Sequence, residues 1–399
     1  MVTFEFACTK IVIEPFRFQL STRIFFGRGI ASTIADVLSE LNGRRPLIIT
    51  DVTLRKAKIV DPVLESLRLG GFGDPRIFDG VQSEADLPTV NGVVEFARKS
   101  NCDCIVAVGG GSVIDTGKGV NIALSLGGSL DEHQGLNNLP GSLRPLIAVP
   151  TTAGTGSEVS YFASVKDPQA QTKLVFGSIY LSPDVALLDP TLLIGLPPRL
   201  TAATGIDALT HCLESYVAQN SASPLTMMYC EGALKLLFAY LPRAVADGAD
   251  MEAREATLIA STMAGIAFTN TGVGVVHALS HAVSGKFGSH HGSTNAVFLV
   301  PGMQFNMEAC HSKYAQLGRA IGLSSAKDDE AAARQLVGSV AELLKELGLP
   351  TKLKDLIGAS ISTTDIEFLA ESASLDPATM FNPRECLASD LRSIYERCR

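Results

Sequence analysis

The tightest constraint on the fold is a change of rhythm near the middle of the chain. Up to about residue 190, short apolar runs alternate with amphipathic stretches, which is how a parallel sheet with crossover helices reads. The runs 46–50, Arg76–Phe78, 104–108, 146–149 and Val185–Leu188 predict strands, and Asp61–Leu69, 89–100 and 115–126 predict helices. Pro197 and Pro198 then interrupt the pattern, and strand-sized β-branched runs almost vanish. Apolar residues at helical spacing predict helices at 200–219, 225–240, 253–267, 275–284, 331–347 and Thr363–Ser374. The expectation is an α/β domain over 1–190 followed by an all-α domain over 191–399.

Several classes of function fall away. Lys and Arg number 33 against 41 Asp and Glu, a formal charge of −8, and the charge is not segregated. Nucleic-acid binding needs basic stripes that neutralise phosphates, so no nucleic-acid partner is expected. At 46% apolar and 19% charged residues the chain is a globular protein with cores to bury. The most apolar stretches are strand-sized, so no membrane span is expected, and Met1–Lys10 lacks the apolar core of a secretory signal. Eight cysteines, Cys8, Cys102, Cys104, Cys212, Cys230, Cys310, Cys386 and Cys398, form no C-x-x-C pair. They read as reduced thiols of a cytoplasmic protein. Met227 and Met228 read as helix packing, and His133 and His311 as structural or exposed.

Two glycine-rich turns follow strands. Gly109, Gly110, Gly111 and Ser112 come directly after 104–108 and open a helix, where free backbone N–H groups and the helix dipole favour a pyrophosphate. The run is not the G-x-G-x-x-G fingerprint, because Ile114 holds the last glycine position. Thr151, Thr152 and Thr155 stand in a second such turn, PTTAGTGSE. Both turns fall at strand C-terminal ends, the edge where open α/β sheets bind ligands. Asp51 closes the first strand, and from there a carboxylate either binds adenosine ribose hydroxyls and repels a 2′-phosphate, or merely caps the next segment. The first role favours NAD over NADP, although Arg55, Lys56 and Lys58 are near enough to pair with a 2′-phosphate.

The histidines are concentrated. Of seven, His211, His277, His281, His290 and His291 fall between positions 211 and 291. Asp207 and His211 are four residues apart, as are His277 and His281, so each pair shares a helix face. One such pair is weak evidence for a metal. Two pairs beside a glycine-flanked double histidine suit Fe(II), Zn(II) or Mn(II).

These segments together resemble the iron-containing (group III) alcohol dehydrogenases, through VAVGGGSVIDTGK (106–118), PTTAGTGSEV (150–159), LLDP (187–190), ATGIDALTHCLESY (203–216) and GVVHALSHAVSGKFGSHHGSTNA (274–296). The resemblance runs through nearly the whole chain in the family's order. It implies an N-terminal dinucleotide-binding, Rossmann-like domain, an all-α metal-binding domain, and an active site in the cleft between them. Carried over residue by residue, the family's metal ligands fall on Asp207, His211, His277 and His291, and His281 becomes the catalytic histidine close to nicotinamide and substrate. Gly109, Gly110, Gly111, Ser112, Asp115, Thr151, Thr152, Thr155 and Lys173 become the NAD(H) contacts, beside Asp51 as read from its strand end. Two departures stand out: VQSEAD with Glu84 replaces an Asn-Pro turn of many relatives, and Phe162 stands where some members carry a polar pocket residue.

The resemblance thus implies hydride transfer between NAD(H) and a small alcohol/aldehyde or ketone pair, at Fe(II) with Zn(II) or Mn(II) as substitutes, in a homodimer or larger homo-oligomer. Relatives that act as hydroxyacid–oxoacid transhydrogenases supply the second reading, and a lyase resembling dehydroquinate synthase a third. A regulator on the same fold is disfavoured because all four matched ligand positions are intact.

Overall fold

The computed structural model describes residues 15–170 and 172–399; Cys8 and the 1–10 segment lie outside them. The first half contains β1 (Arg23–Phe26), α1 (Ile34–Glu40), β2 (Pro46–Ile49), α2 (Val52–Lys56), α3 (Asp61–Leu69), β3 (Arg76–Phe78), α4 (Leu87–Lys99), β4 (Cys104–Gly109) and α5 (Gly111–Leu126). It continues through β5 (Gly135–Leu136), β6 (Leu146–Pro150), β7 (Phe162–Asp167), β8 (Thr172–Gly177) and β9 (Val185–Leu188). Six strands form one sheet in the order β1-β9-β6-β4-β2-β3, and every pairing in it is parallel. The sequence-based strands at 46–50, 104–108 and 146–149 are present with ends shifted by a residue, and those at Arg76–Phe78 and Val185–Leu188 match.

Alternation along these strands builds two cores. Leu47, Ile49, Ile105 and Ala107 join Val90, Val93 and Val94 of α4 and Ile114 of α5 on one face. Ile48, Val106 and Val108 join Ile34 and Leu38 of α1 and Val63 and Leu67 of α3 on the other. Strands covered on both faces read as continuous apolar runs. From β2 the chain moves outward to β3, whereas from β4 it moves the other way to β6. The order therefore reverses between β2 and β4, and the crevice beyond their C-terminal ends is where such a sheet takes a ligand.

Several elements escaped the sequence reading: the short α1, α2, β5 and α12, the C-terminal α14, and three features that shape the fold more. β1 is an exposed edge strand. β7 and β8 form an antiparallel hairpin that joins β5 in a second, three-stranded sheet. The third belongs to the helical half, which runs α6 (Pro198–Val217), α7 (Pro224–Ala246), α8 (Met251–Thr271), α9 (Val275–Phe287), α10 (His291–Ala320), α11 (Asp329–Glu346), α12 (Leu353–Ile357), α13 (Thr363–Ser374) and α14 (Ala388–Cys398). α10, 30 residues long and kinked at Cys310, was not foreseen. Helix α6 is buried from Thr201 to Val217 among α7, α8 and α10. α8 and α9 meet at an angle of 100°. That bend needs Gly272 at φ 75°.

Among the described residues no single helix is long and apolar enough to cross a membrane. The seven described cysteines are free and buried. Met227 packs on the helical core as expected, but Met228 is 65% exposed, because neighbours on a helix point about 100° apart.

Candidate active site

The nucleotide side of the crevice is built by two turns pressed together. β4 and β6 pair through Gly109 and Pro150, and Thr151 N donates to Gly109 O at 3.1 Å. A Cβ on Gly110 would lie 3.2 Å from the Thr152 side chain, and one on Gly111 would lie 2.7 Å from Thr155 Cγ2. Glycine is therefore required by the closeness of the turns. No side chain caps α5 at Gly110, so its first-turn amides face the crevice, a cradle suited to a pyrophosphate.

Other residues assigned to the cofactor are engaged by the protein. The Ser112 hydroxyl donates to Ser83 O at 2.7 Å. Asp115 accepts from the Ser157 hydroxyl at 2.5 Å and from Ser164 N at 3.0 Å. Its carboxyl is raised, first by burial, against the pull of Lys118. Lys118 is fully buried and donates to Ser157, Ser160 and Phe162, and burial lowers its ammonium to about 8. Asp115 and Lys118 thus hold the segment 157–164 that follows the Thr151–Thr155 turn. Asp51 Oδ1 accepts from Thr53 N at 2.7 Å and Leu54 N at 2.9 Å and caps α2, the capping alternative of the sequence reading. Lys173 pairs with Glu84 at 3.4 Å, and Lys166 pairs with the same carboxylate at 3.2 Å. Glu84, the departure from the Asn-Pro turn, so ties the β7–β8 hairpin to the loop before α4.

On the helical side, α6 presents Asp207 and His211, α9 presents His277 and His281, and α10 opens with His291. Asp207 Oδ1 is 3.8 Å from His211 Nε2, 3.7 Å from His277 Nε2 and 3.5 Å from His291 Nε2. Ligating atoms of Asp207, His211 and His277 all lie within 4.8 Å of one another, with all three residues buried; His291 stands at the rim, its side chain 30% exposed. Ligands held tetrahedrally at about 2.1 Å from one ion are about 3.4 Å apart, so these spacings fit a divalent metal. The donor set, one carboxylate and three imidazoles, suits iron, zinc or manganese. His290, the other half of the pair, is exposed and accepts from Ser293 N as the α10 cap.

Electrostatics sharpen the contrast among these groups. Burial works against ionised Asp207, yet the three imidazoles hold its carboxyl far below the usual range. Burial lowers His211 to about 4 despite Asp207. Burial also opposes charge on His277, but Glu214 and Asp207 outweigh it and raise the imidazole to about 9. Burial pushes His291 well down.

His281 does not join the ligands. Its Nδ1 lies 2.9 Å from Asp376 Oδ2, while its ring stacks on His291 with centroids 5.3 Å apart. Phe268 of α8 stacks on His211 at 4.3 Å and walls the cluster. The sequence reading missed Glu214 and Asn295 as partners of ligands, Asp376 and Phe268. Glu214 had a signal, since it follows Asp207 by seven positions on the same helix face. Asn295 Nδ2 donates to Asp207 Oδ1 at 2.8 Å.

The chain is similar to known proteins over nearly its whole length. A family model described as iron-containing alcohol dehydrogenase matches residues 21–190, and one for the C-terminal part of the same family matches 201–398. The NAD-dependent methanol dehydrogenase of Bacillus methanolicus is 35% identical over 371 residues, 93% of this chain and 96% of its own length. The 1,3-propanediol dehydrogenase of Citrobacter freundii is 36% identical over 376 residues, 94% of this chain and 96% of its own. The solved alcohol dehydrogenase from Oenococcus oeni superposes with a TM-score of 0.92 at 34% identity, covering 96% of this chain and all of that one.

Proposed function

Because the chain belongs to the iron-containing alcohol dehydrogenase family, we propose that it transfers a hydride between NAD(H) and a small alcohol/aldehyde or ketone pair at the cleft between its sheet and its helices. The observation that carries this reading is the convergence of Asp207 Oδ1 with the Nε2 atoms of His211, His277 and His291. Those four residues would hold the divalent metal, iron in a reducing cytoplasm. When bound, the metal supplies Lewis-acid polarisation of the substrate oxygen and the nicotinamide supplies the hydride acceptor or donor.

The chain's own residues do the rest. The amides at Gly110–Ser112 seat the pyrophosphate against Thr152 and Thr155, and Lys173 reaches the ribose side after exchanging its contact with Glu84. Asp51 keeps Oδ2 for the adenosine ribose while Oδ1 caps α2. His281, anchored through Nδ1 by Asp376, presents Nε2 to receive the alcohol proton and pass it to solvent. Phe268, stacked on His211, excludes water there and favours an apolar substrate.

The division at residue 190 separates the two jobs. The exposed edge strand β1, with Ile24, Phe25 and Phe26 each 36–42% exposed, supports a homodimer or larger homo-oligomer. Free thiols support a cytoplasmic setting. A panel of alcohols and aldehydes with NAD(H), after anaerobic reconstitution with Fe(II), tests the activity; no turnover of any alcohol or carbonyl would reject it.

A further inference from the structure

Asp207, His211 and Glu214 follow one another on one face of α6, and the third lies outside the ligand set. Glu214 is 6% exposed, and both its oxygens are taken by α9. Oε1 accepts from Val276 N at 2.6 Å, and Oε2 accepts from His277 Nδ1 at 2.5 Å. Close approach is built in, since a Cβ on Gly274 would lie 3.2 Å from Glu214 Oε1.

We propose that Glu214 is a positioning residue that dictates which nitrogen of His277 faces the ligand cluster and so makes the site competent for metal. The inference rests on the metal-site reading above and deepens it. A carboxylate only accepts, so the ring proton of neutral His277 must sit on Nδ1. The lone pair is then on Nε2, which points to Asp207 Oδ1 at 3.7 Å. A carboxylate behind a ligating imidazole fixes its ring and raises its basicity. His211 gains no such help, because among the described residues no carboxylate stands behind its buried Nδ1. The second oxygen of Glu214 engages a first-turn amide of α9, which no intrahelical carbonyl can satisfy. Two anchor points fix the roll of α9 about its axis, and with it the direction of His277.

Glu214→Gln separates orientation from simple helix anchoring. Glutamine has one acceptor for two donors: with its oxygen on Val276 N, its NH2 faces Nδ1 and drives the ring proton to Nε2, where no lone pair remains for a metal. The readouts are the melting temperature of the metal-free protein, the rate at which a chelator strips Zn(II), and the visible spectrum of the Co(II)-substituted protein. Glu214→Gln should stay folded without metal, melting below the parent because the contact with His277 is weakened, lose Zn(II) about 10–100-fold faster, and show an altered Co(II) spectrum. Glu214→Asp, which keeps two acceptors one methylene further back, should restore most of the retention, and it serves as the test should the glutamine variant not fold. Unchanged Zn(II) release and an unchanged Co(II) spectrum in Glu214→Gln would overturn the proposal and leave Glu214 an anchor of α9. A parent protein that itself retains no Zn(II) would instead reject the metal site on which the proposal rests.

Discussion

Asp376 Oδ2 lies 2.9 Å from His281 Nδ1, so the histidine that shares a helix with His277 is tethered to the segment between α13 and α14. The tether leaves Nε2 as the free end of the ring. His281→Ala should keep metal and cofactor but lose about 10²–10⁴-fold in kcat, the usual range for a positioned acid or base. Asp376→Asn should lose less. Metal loss in His281→Ala, read by elemental analysis, would make His281 a ligand, and full activity would make it a packing residue.

Removal of a ligand should behave differently. His277→Ala is expected to lose both bound metal and turnover while the far-ultraviolet circular dichroism stays near that of the parent. An unchanged metal-to-protein ratio would refute the ligand assignment.

Asp51 caps α2, and one substitution can separate that cap from its proposed part in cofactor choice. Asparagine retains the cap on α2, since it ranks with aspartate as an N-cap, but carries no charge. Asp51→Asn should therefore leave the melting temperature nearly unchanged while narrowing the preference for NAD(H) over NADP(H) by about tenfold, roughly 1.4 kcal/mol. If the kcat/KM ratio for the two cofactors stays fixed, Asp51 is only a cap.

The glycine turn predicts its own suppressor. Gly111→Ala would set a methyl 2.7 Å from Thr155 Cγ2, an overpacking that costs about 1–3 kcal/mol and opens the cradle. KM for NAD(H) should rise. Adding Thr155→Ser removes the offending methyl and should recover part of the loss; an equal loss in both would place the strain elsewhere.

Stability of the metal-free protein should peak near pH 6.5. His277 is raised to about 9, so its contribution is complete below pH 6.5 and is lost as pH climbs through 9. His211 is lowered to about 4, so its buried neutral ring costs stability as pH falls from 6.5 towards 4. Melting temperatures of chelator-treated protein across pH 5–9 check this, and a monotonic profile would contradict it.

What could be read from the residues alone follows from burial. The strands at 104–109 and 146–150 are covered on both faces, so no solvent-facing residue breaks their apolar runs. β1, RIFF, is exposed throughout, and β7–β8 carries lysines on a half-buried surface; neither leaves a periodic trace. α10 was masked by Pro301 in its interior and by the glycines around its start. Asp207, His211, His277 and His291 were visible as spaced donors, with roles supplied by the family resemblance. Asp376 was not, and Glu214 showed only its place on the Asp207 face of α6, because a carboxylate is marked as a histidine's partner only when distant segments meet.

The pairing of β1 with β9 has a consequence for biogenesis. Position 23 finds its partner at position 185, so the main sheet cannot close on a growing chain until β9 has left the ribosome. Before then Ile24, Phe25 and Phe26 have no strand beside them, although the Gly109–Gly111 and Thr151–Thr155 turns already exist. The cluster of Asp207, His211, His277 and His291 needs still more chain, since His291 is made last. The glycine and threonine turns and the histidine cluster therefore mature in sequence, turns first, and such non-local closure is slow and exposed to aggregation.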